Sequence, residues 1–304
     1  MNGRGDRLRR RAGALRREAA ALVWVIPMAL LGFLRDRCIQ WAAALAYYTL
    51  IGLVPLLVAL FSVIKLFGLH RGLTPFIVKT IGAGSPEVAT QIVRFIDATN
   101  MRAVGVLSAV GALLAVFGIL GNAELCFNTI WGGIPGRPVA RKVRAFAGVA
   151  IAAPLMLLLA LALTTFFRRG TAAWAFFEQF ALGDAVLVIL RLTPYALLWV
   201  SFTMLYTVLP NRRVRMGSAL LGAIVAGSLW QFAQWGYVTF VIGMVRYSAV
   251  YGALWQLPIL LAWVYVAWAI ILLGAEVCRA HQQTVEVRLT RRAARQTPDT
   301  SRAE

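Results

Sequence analysis

Six long stretches of apolar residues constrain the fold of this chain more than any other feature of its sequence. One helix needs about 20 mostly apolar residues to cross the hydrocarbon layer of a bilayer, about 30 Å thick. Each stretch reaches that length as a continuous run, without the alternation typical of a membrane β-strand. The sequence therefore predicts an all-α integral membrane protein, a bundle of six spans at about 41–68, 103–131, 143–167, 185–209, 217–245 and 253–277.

A shorter apolar stretch, residues 19–34, precedes the first predicted span. Pro27 interrupts it and the basic residues Arg35 and Arg37 close it, so its length is marginal for a crossing. We predict that it forms a helix lying in the membrane interface.

Two polar segments complete the predicted organisation, the loop 69–102 and the C-terminal segment 279–304. In the loop, Thr74 and Ser85 each precede a proline, a typical start of a helix. The C-terminal segment is rich in arginine, and we predict that it is mobile beyond Gln282. The predicted parts are a basic N-terminus with the interfacial helix (1–40), a six-span membrane domain (41–278) with a helical external loop (69–102), and a basic cytoplasmic tail (279–304).

The 31 Lys and Arg residues, which give a formal net charge of +19, decide the orientation of the bundle. Twenty-two of them flank one side of the six predicted spans, seven flank the other, and Lys65 and Arg191 lie within spans. Because basic flanks stay in the cytoplasm, both termini are predicted to be cytoplasmic. The same placement indicates that the partners of these charges are anionic lipid headgroups rather than nucleic acid. The placement of the basic residues does not indicate the oligomeric state.

The cysteines and histidines give no support for a metal site, a cofactor or catalysis. Cys38, Cys126 and Cys278 form no CxxC pair and are interpreted as free thiols. His70 and His281 fall on opposite sides of the predicted membrane, so neither a histidine metal site nor a Ser–His arrangement is expected. We predict a protein that is not an enzyme.

Ionisable and amide side chains within spans are candidates for a substrate path, because such groups are costly in a bilayer and face a cavity or a partner. Glu124 and Asn128 lie one turn apart in the second predicted span. They could line a path for a headgroup or an ion, or form a structural hydrogen-bond node in which Arg141 or another basic flank neutralises Glu124. Arg191 lies in the fourth predicted span. Its guanidinium could bind a lipid phosphate, or it could snorkel towards the surface near Asp184.

Small residues recur at helical spacing in the second and fifth predicted spans. Such stripes let helices approach closely, so we predict that they serve helix packing. The predicted packing residues are Gly111, Gly118, Ser218, Gly222 and Ala226.

Several stretches from the first span to the last resemble the YihY / virulence factor BrkB family of bacterial membrane proteins, once labelled ribonuclease BN. They are 42–50 (AAALAYYTL), 55–57 (PLL), 127–132 (FNTIWG), 209–214 (LPNRRV), 222–223 (GA), 251–254 (YGAL), 258–261 (PILL) and 273–277 (LGAEV). The resemblance implies a multi-pass protein of the bacterial inner membrane. For this family, envelope or lipid transport and resistance to host serum have been proposed.

The fifth span departs from the pattern of the family. Relatives often carry a Glu and a Lys where this chain has Gln231 and Gln234. If the charged pair couples protons or ions in relatives, that role is in doubt here; if it joins helices, the two amides can still donate and accept hydrogen bonds. We include both as candidates for a substrate path.

Together these features predict a protein that translocates or handles an amphiphilic envelope molecule, such as a phospholipid or glycolipid. The alternatives are a scaffold for envelope machinery that transports nothing and a channel or transporter for a small ion. A lipid handler needs a polar groove that opens sideways to the bilayer, a channel needs a continuous pore, and a scaffold needs neither.

The charge distribution generates a test of the topology. Reporter fusions after Arg10 and after Arg292 are expected to report the cytoplasm, and a fusion at Gly84 is expected to report the external side. A cytoplasmic signal from Gly84 would contradict the predicted topology.

Overall fold

The protein is represented by a computed structural model that describes residues 24–66, 101–138, 140–148, 183–244 and 256–296. Every regular element within these residues is an α-helix, as the sequence predicts. In chain order the helices are α1 (Trp24–Arg35), α2 (Cys38–Leu66), α3 (Met101–Ile130), α4 (140–148), α5 (Gly183–Val208), α6 (Met216–Met244) and α7 (Gln256–Gln296).

Four segments of the described helices are long and apolar enough to cross a membrane. They belong to the first, second, fifth and sixth predicted spans, and α5 contains a shorter apolar segment within the fourth. Most of the third predicted span and nearly all of the external loop lie outside the described residues. An integral membrane helical protein is thus confirmed, whereas the count of six spans stays a prediction. The four segments are Cys38–Leu56, Val110–Ile130, Met216–Phe240 and Pro258–Thr290.

The chain divides into two compact units, one formed by Ala44–Asn122 and the other by the rest of the chain. In the first unit α2 and α3 pack through small residues. A Cβ atom added to Gly52 would lie 3.1 Å from Ala115 Cβ, and one added to Gly111 would lie 3.3 Å from Pro55 Cβ. At Gly118, by contrast, an added Cβ atom would meet no atom within 4 Å. Gly111 therefore lies in this contact and Gly118 does not.

In the second unit α6 packs against both α5 and α7. The contact with α7 is closest at Gly222, where an added Cβ atom would lie 2.5 Å from the carbonyl oxygen of Gly274. One turn further along α6, Ala226 faces Gly274 in turn, since a Cβ atom there would lie 2.6 Å from Ala226 Cβ. Tyr206 of α5 reaches the same place and donates a hydrogen bond of 2.9 Å to the carbonyl oxygen of Ile271. Helices α5, α6 and α7 thus meet at Gly222 and Gly274, where the absence of side chains allows the close contact.

Helix α1 belongs to the second unit and packs on α7 through one of its faces. Val25 and Ala29 are buried against Val277 and Ala280 of α7. The rest of α1 exposes large apolar side chains to the surroundings. This is the pattern expected of a helix embedded in a membrane interface, although that position stays a prediction. The exposed side chains are Trp24, Ile26, Met28, Leu30, Leu31 and Leu34.

The last helix is longer than the sequence predicted. We expected a mobile polar tail beyond Gln282, but α7 continues to Gln296. The physical reason is that its polar end is held by the linker between α5 and α6: Gln282 Oε1 accepts a hydrogen bond of 3.0 Å from the backbone N–H of Arg215, and Glu286 pairs with Arg212 at 3.5 Å. Residues 283–296 are thus helical, and the mobility of this segment stays a prediction.

The glycine contact between α6 and α7 generates a stability prediction. Gly222→Leu is expected to destabilise the protein by about 1–3 kcal/mol, because its side chain would have to displace the backbone of α7. The measurement is the thermal unfolding midpoint of the detergent-solubilised protein.

Gly236→Leu is the matched control, since a Cβ atom at Gly236 would meet no atom of the described residues within 4 Å. Equal midpoints for Gly222→Leu and the wild type would contradict close packing at this contact.

Candidate functional site

Among the described residues, the buried polar side chains gather at one end of the helices. They lie near the C-terminal end of α3, the N-terminal end of α6 and the polar half of α7, which are the ends that the charge count assigns to the cytoplasm. They are Glu124, Asn128, Ser218, Glu276, Arg279 and Gln282.

Glu124 is 1% exposed and has two partners from the segment that follows α3. Its Oε1 accepts a hydrogen bond of 3.0 Å from the backbone N–H of Arg137, and its Oε2 lies 3.3 Å from Lys142 Nζ. Gly132 and Gly133, with φ of 100° and 74°, let the chain turn back towards Glu124. These are the contacts of a hydrogen-bonded node, and Lys142, another residue of the basic flank that contains Arg141, is the one that pairs with Glu124.

Asn128 and Arg137 join this α3–α4 linker to the linker between α5 and α6. Asn128 Oδ1 accepts a hydrogen bond of 2.8 Å from the backbone N–H of Asn211. The guanidinium of Arg137 donates to the carbonyl oxygens of Leu209 and Pro210, at 3.4 and 2.5 Å. Asn128 Nδ2 is buried without a hydrogen-bond partner among the described residues. The two linkers therefore form one hydrogen-bonded layer.

Arginine, serine and histidine side chains attach this layer to α7. Arg212, which pairs with Glu286, also lies over the Trp131 ring at 5.7 Å. Ser218 Oγ is 2.9 Å from His281 Nδ1. The expectation that serine and histidine would not come together was wrong for this pair, because the packing of α6 on α7 aligns residues that are far apart in the sequence. Ser218 is buried, so the pair serves as a link between helices.

A second group of charges, which we call the acid–arginine cluster, consists of Asp36, Glu276 and Arg279. Arg279 Nη1 lies 3.1 Å from Asp36 Oδ2, and Arg279 Nη2 lies 2.8 Å from Glu276 Oε2. At its edge, Arg35 Nε donates a hydrogen bond of 3.0 Å to Asp36 Oδ1, and this bond and the charge of Asp36 raise the pKa of Arg35. The sequence analysis did not identify this cluster. The only available signal was a Glu within an apolar helix.

The two amides of α6 have different surroundings. Gln231 is half-buried and Gln234 is exposed, near the middle of the apolar segment Met216–Phe240. Neither side chain makes a hydrogen bond to a described residue, in contrast to Glu124. Next to them, the exposed rings of Phe232 and Trp235 have their centroids 6.1 Å apart.

The remaining predictions about the site concern Arg191, a metal ion and the cysteines. Arg191 lies within α5, but its side chain is outside the described part of the structure. In the described part of the chain, no group of three or more His, Cys, Asp or Glu side chains is placed to hold a metal ion. The three cysteines are buried free thiols.

Comparison with known proteins assigns the family. The family model described as virulence factor BrkB matches residues 29–297. This chain belongs to the virulence factor BrkB family. Its relatives include UPF0761 membrane proteins of Halorhodospira halophila (32% identical; 81% of this chain and 54% of the relative), Aeromonas salmonicida (31%; 80% and 84%) and Alkalilimnicola ehrlichii (32%; 82% and 56%). The chain thus spans about half the length of the first and third of these. No solved structure matches it.

Three of the sequence stretches that carry the BrkB resemblance lie at the polar end of the helices. FNTIWG at 127–132 and LPNRRV at 209–214 supply the two linkers of the hydrogen-bonded layer, and LGAEV at 273–277 supplies both Gly274 and Glu276. In this BrkB protein, these motifs therefore contribute contacts between helices and between linkers.

The contacts of Glu124 generate a prediction. Glu124→Leu is expected to cost about 1–3 kcal/mol of stability, because it leaves the N–H of Arg137 without an acceptor. Glu124→Gln is expected to cost less than about 1 kcal/mol, since its amide oxygen still accepts that bond and the half-exposed Lys142 can be solvated. Unfolding in detergent measures both. Equal losses would contradict this account, because they would show that the charge of Glu124 matters and its acceptor role does not.

Proposed function

We propose that this membrane protein of the BrkB family translocates or handles an amphiphilic envelope molecule, such as a phospholipid or glycolipid, in the bacterial inner membrane. The proposal includes six spans, two cytoplasmic termini and a transport role rather than an enzymatic one. The observation that carries it is the pair of amides, Gln231 and Gln234, near the middle of an apolar helix without hydrogen-bond partners among the described residues.

A polar group in an apolar helix needs a hydrogen-bond partner, which can come from the protein or from the bilayer. Leaving an amide unpaired in an apolar medium costs about 1–3 kcal/mol by mutational measures. At the polar end of the helices, Glu124 receives donors from the protein itself. At mid-helix, Gln234 is exposed and has no hydrogen-bond partner among the described residues, which leaves it accessible to a partner from the bilayer.

An amphiphile fits the chemistry of this face of α6. Its polar group could exchange hydrogen bonds with the amides, and its hydrocarbon chains could pack on the neighbouring rings of Phe232 and Trp235. A small ion would use the amides but not the exposed rings, and a scaffold would need neither.

The experiment combines stability, function in the cell and lipid movement. The double variant Gln231→Leu, Gln234→Leu is expected to unfold at the wild-type temperature, since the amides bond to no described residue. It should also fail to complement an envelope-permeability defect in a strain that lacks the gene. In vesicles, the wild-type protein should accelerate the transbilayer movement of a fluorescent phospholipid, and the double variant should not.

The matched control is Thr239→Val on the same helix, because the hydroxyl of Thr239 already donates to the carbonyl oxygen of Trp235 at 2.9 Å. It should behave as the wild type in all three assays. Lost stability with retained complementation would instead assign the amides to helix association. Normal lipid movement by the double variant would refute the path, and ion flux without lipid movement would favour a channel.

A further inference from the structure

The acid–arginine cluster places Glu276 in a nearly dry environment between α1 and α7. Glu276 is 0% exposed and Arg279 is 7% exposed. Gly32 of α1 covers both groups so closely that an added Cβ atom would overlap Glu276 Oε2 and Arg279 Nη2. The absence of a side chain at Gly32 lets α1 close over the cluster.

Glu276 has few donors for a buried carboxylate. Its Oε1 accepts a weak hydrogen bond from the Cys38 thiol at 3.9 Å. Its Oε2 faces Arg279 at 2.8 Å, but the guanidinium is not aligned for a hydrogen bond, and Arg279 Nε also has no partner among the described residues. A buried ionised carboxylate needs several well-aligned donors to replace its lost water. The geometry here supplies fewer.

Charges of both signs lie beside Glu276. Arg279 is shared between Glu276 and Asp36, so two carboxyls contact one guanidinium, and a single positive charge cannot neutralise two ionised carboxylates. Arg35, whose side chain is 69% exposed, pairs with Asp36 and is solvated. The thiols of Cys38 and Cys126 also lie near the cluster. On the α6 side, the residues packed beside α1 are the apolar Leu221 and Val225.

We propose that the acid–arginine cluster is a proton-binding site in which Glu276 carries the proton. Neutral Glu276 donates its O–H to the Asp36 carboxylate, and Arg279 compensates the charge of Asp36. On release, the proton passes from Glu276 to Asp36, whose side chain is 12% exposed, and then to water. Two carboxylates then share Arg279, and the contact between the α1–α2 turn and α7 weakens.

Infrared spectroscopy of the full chain in lipid nanodiscs tests the site directly. At neutral pH the wild-type protein should show the C=O stretching band of a buried protonated carboxylic acid, and Glu276→Gln should lose it. Glu286→Gln is the matched control, because Glu286 lies on the same helix with its side chain 43% exposed, and it should keep the band. Absence of the band from the wild type at neutral pH, or its persistence in Glu276→Gln, would overturn the proposal.

Asp36→Asn provides a second variant that retains Glu276, should Glu276→Gln fail to fold. Removing the neighbouring negative charge should make the proton leave at a lower pH than in the wild type. An unchanged or higher midpoint would contradict the proposed transfer between the two carboxyls.

The pH dependence of stability separates a bound proton from a simple ion pair. If folded Glu276 keeps a proton that the unfolded chain loses above about pH 4.3, folding takes up a proton, and the stability due to Glu276 falls as the pH rises. The thermal midpoint of the wild type minus that of Glu276→Gln should therefore decrease with rising pH. A difference that increases with pH would show that Glu276 is ionised and paired with Arg279, and would overturn the proposal.

Discussion

The close approach of α6 and α7 at Gly222 and Gly274 is the contact on which the second unit depends. Association of helices within a bilayer gains little from the hydrophobic effect, so it relies on packing at short distance. The glycines allow backbone contact, and the room that they leave admits Tyr206 of α5, whose hydroxyl donates to the carbonyl oxygen of Ile271. The same alignment of α6 on α7 brings Ser218 to His281. Polar links thus follow from an apolar contact.

The polar end of the helices shows how costly groups are retained in such a protein. Glu124 is tolerated because the α3–α4 linker supplies the N–H of Arg137 and α4 supplies the ammonium group of Lys142. The α5–α6 linker is bound in turn to Asn128 and to the polar half of α7. One connected network therefore fixes the ends of α3, α5, α6 and α7, and it accounts for the continuation of α7 beyond residue 277, the end of the sixth predicted span.

The sequence was most informative where a property depends on local composition. Apolar runs predicted helices whose ends lie within a few residues of the described ones, except at the polar end of α7. The family followed from short motifs around Asn128 and Glu276. The sequence could not reveal pairs set by tertiary contact. Asp36 and Arg279 form an ion pair although they are more than two hundred residues apart in the sequence. Which basic residue pairs with Glu124 depends on how the chain after α3 turns back, and the turn brings Lys142 to it.

Two kinds of intramembrane polar group remain after these contacts are assigned, and they differ in what they require. Gln231 and Gln234 are neutral and near mid-helix, and Gln231 is half-buried whereas Gln234 is exposed. Glu276 is closed off by Gly32, so its need is for a charge balance within the protein, which one proton can supply. A protein that moves an amphiphile requires an exposed polar face and a closed element that can change state. In the described helices of this BrkB protein, the two amides lie on α6 and the closed cluster lies between α1 and α7.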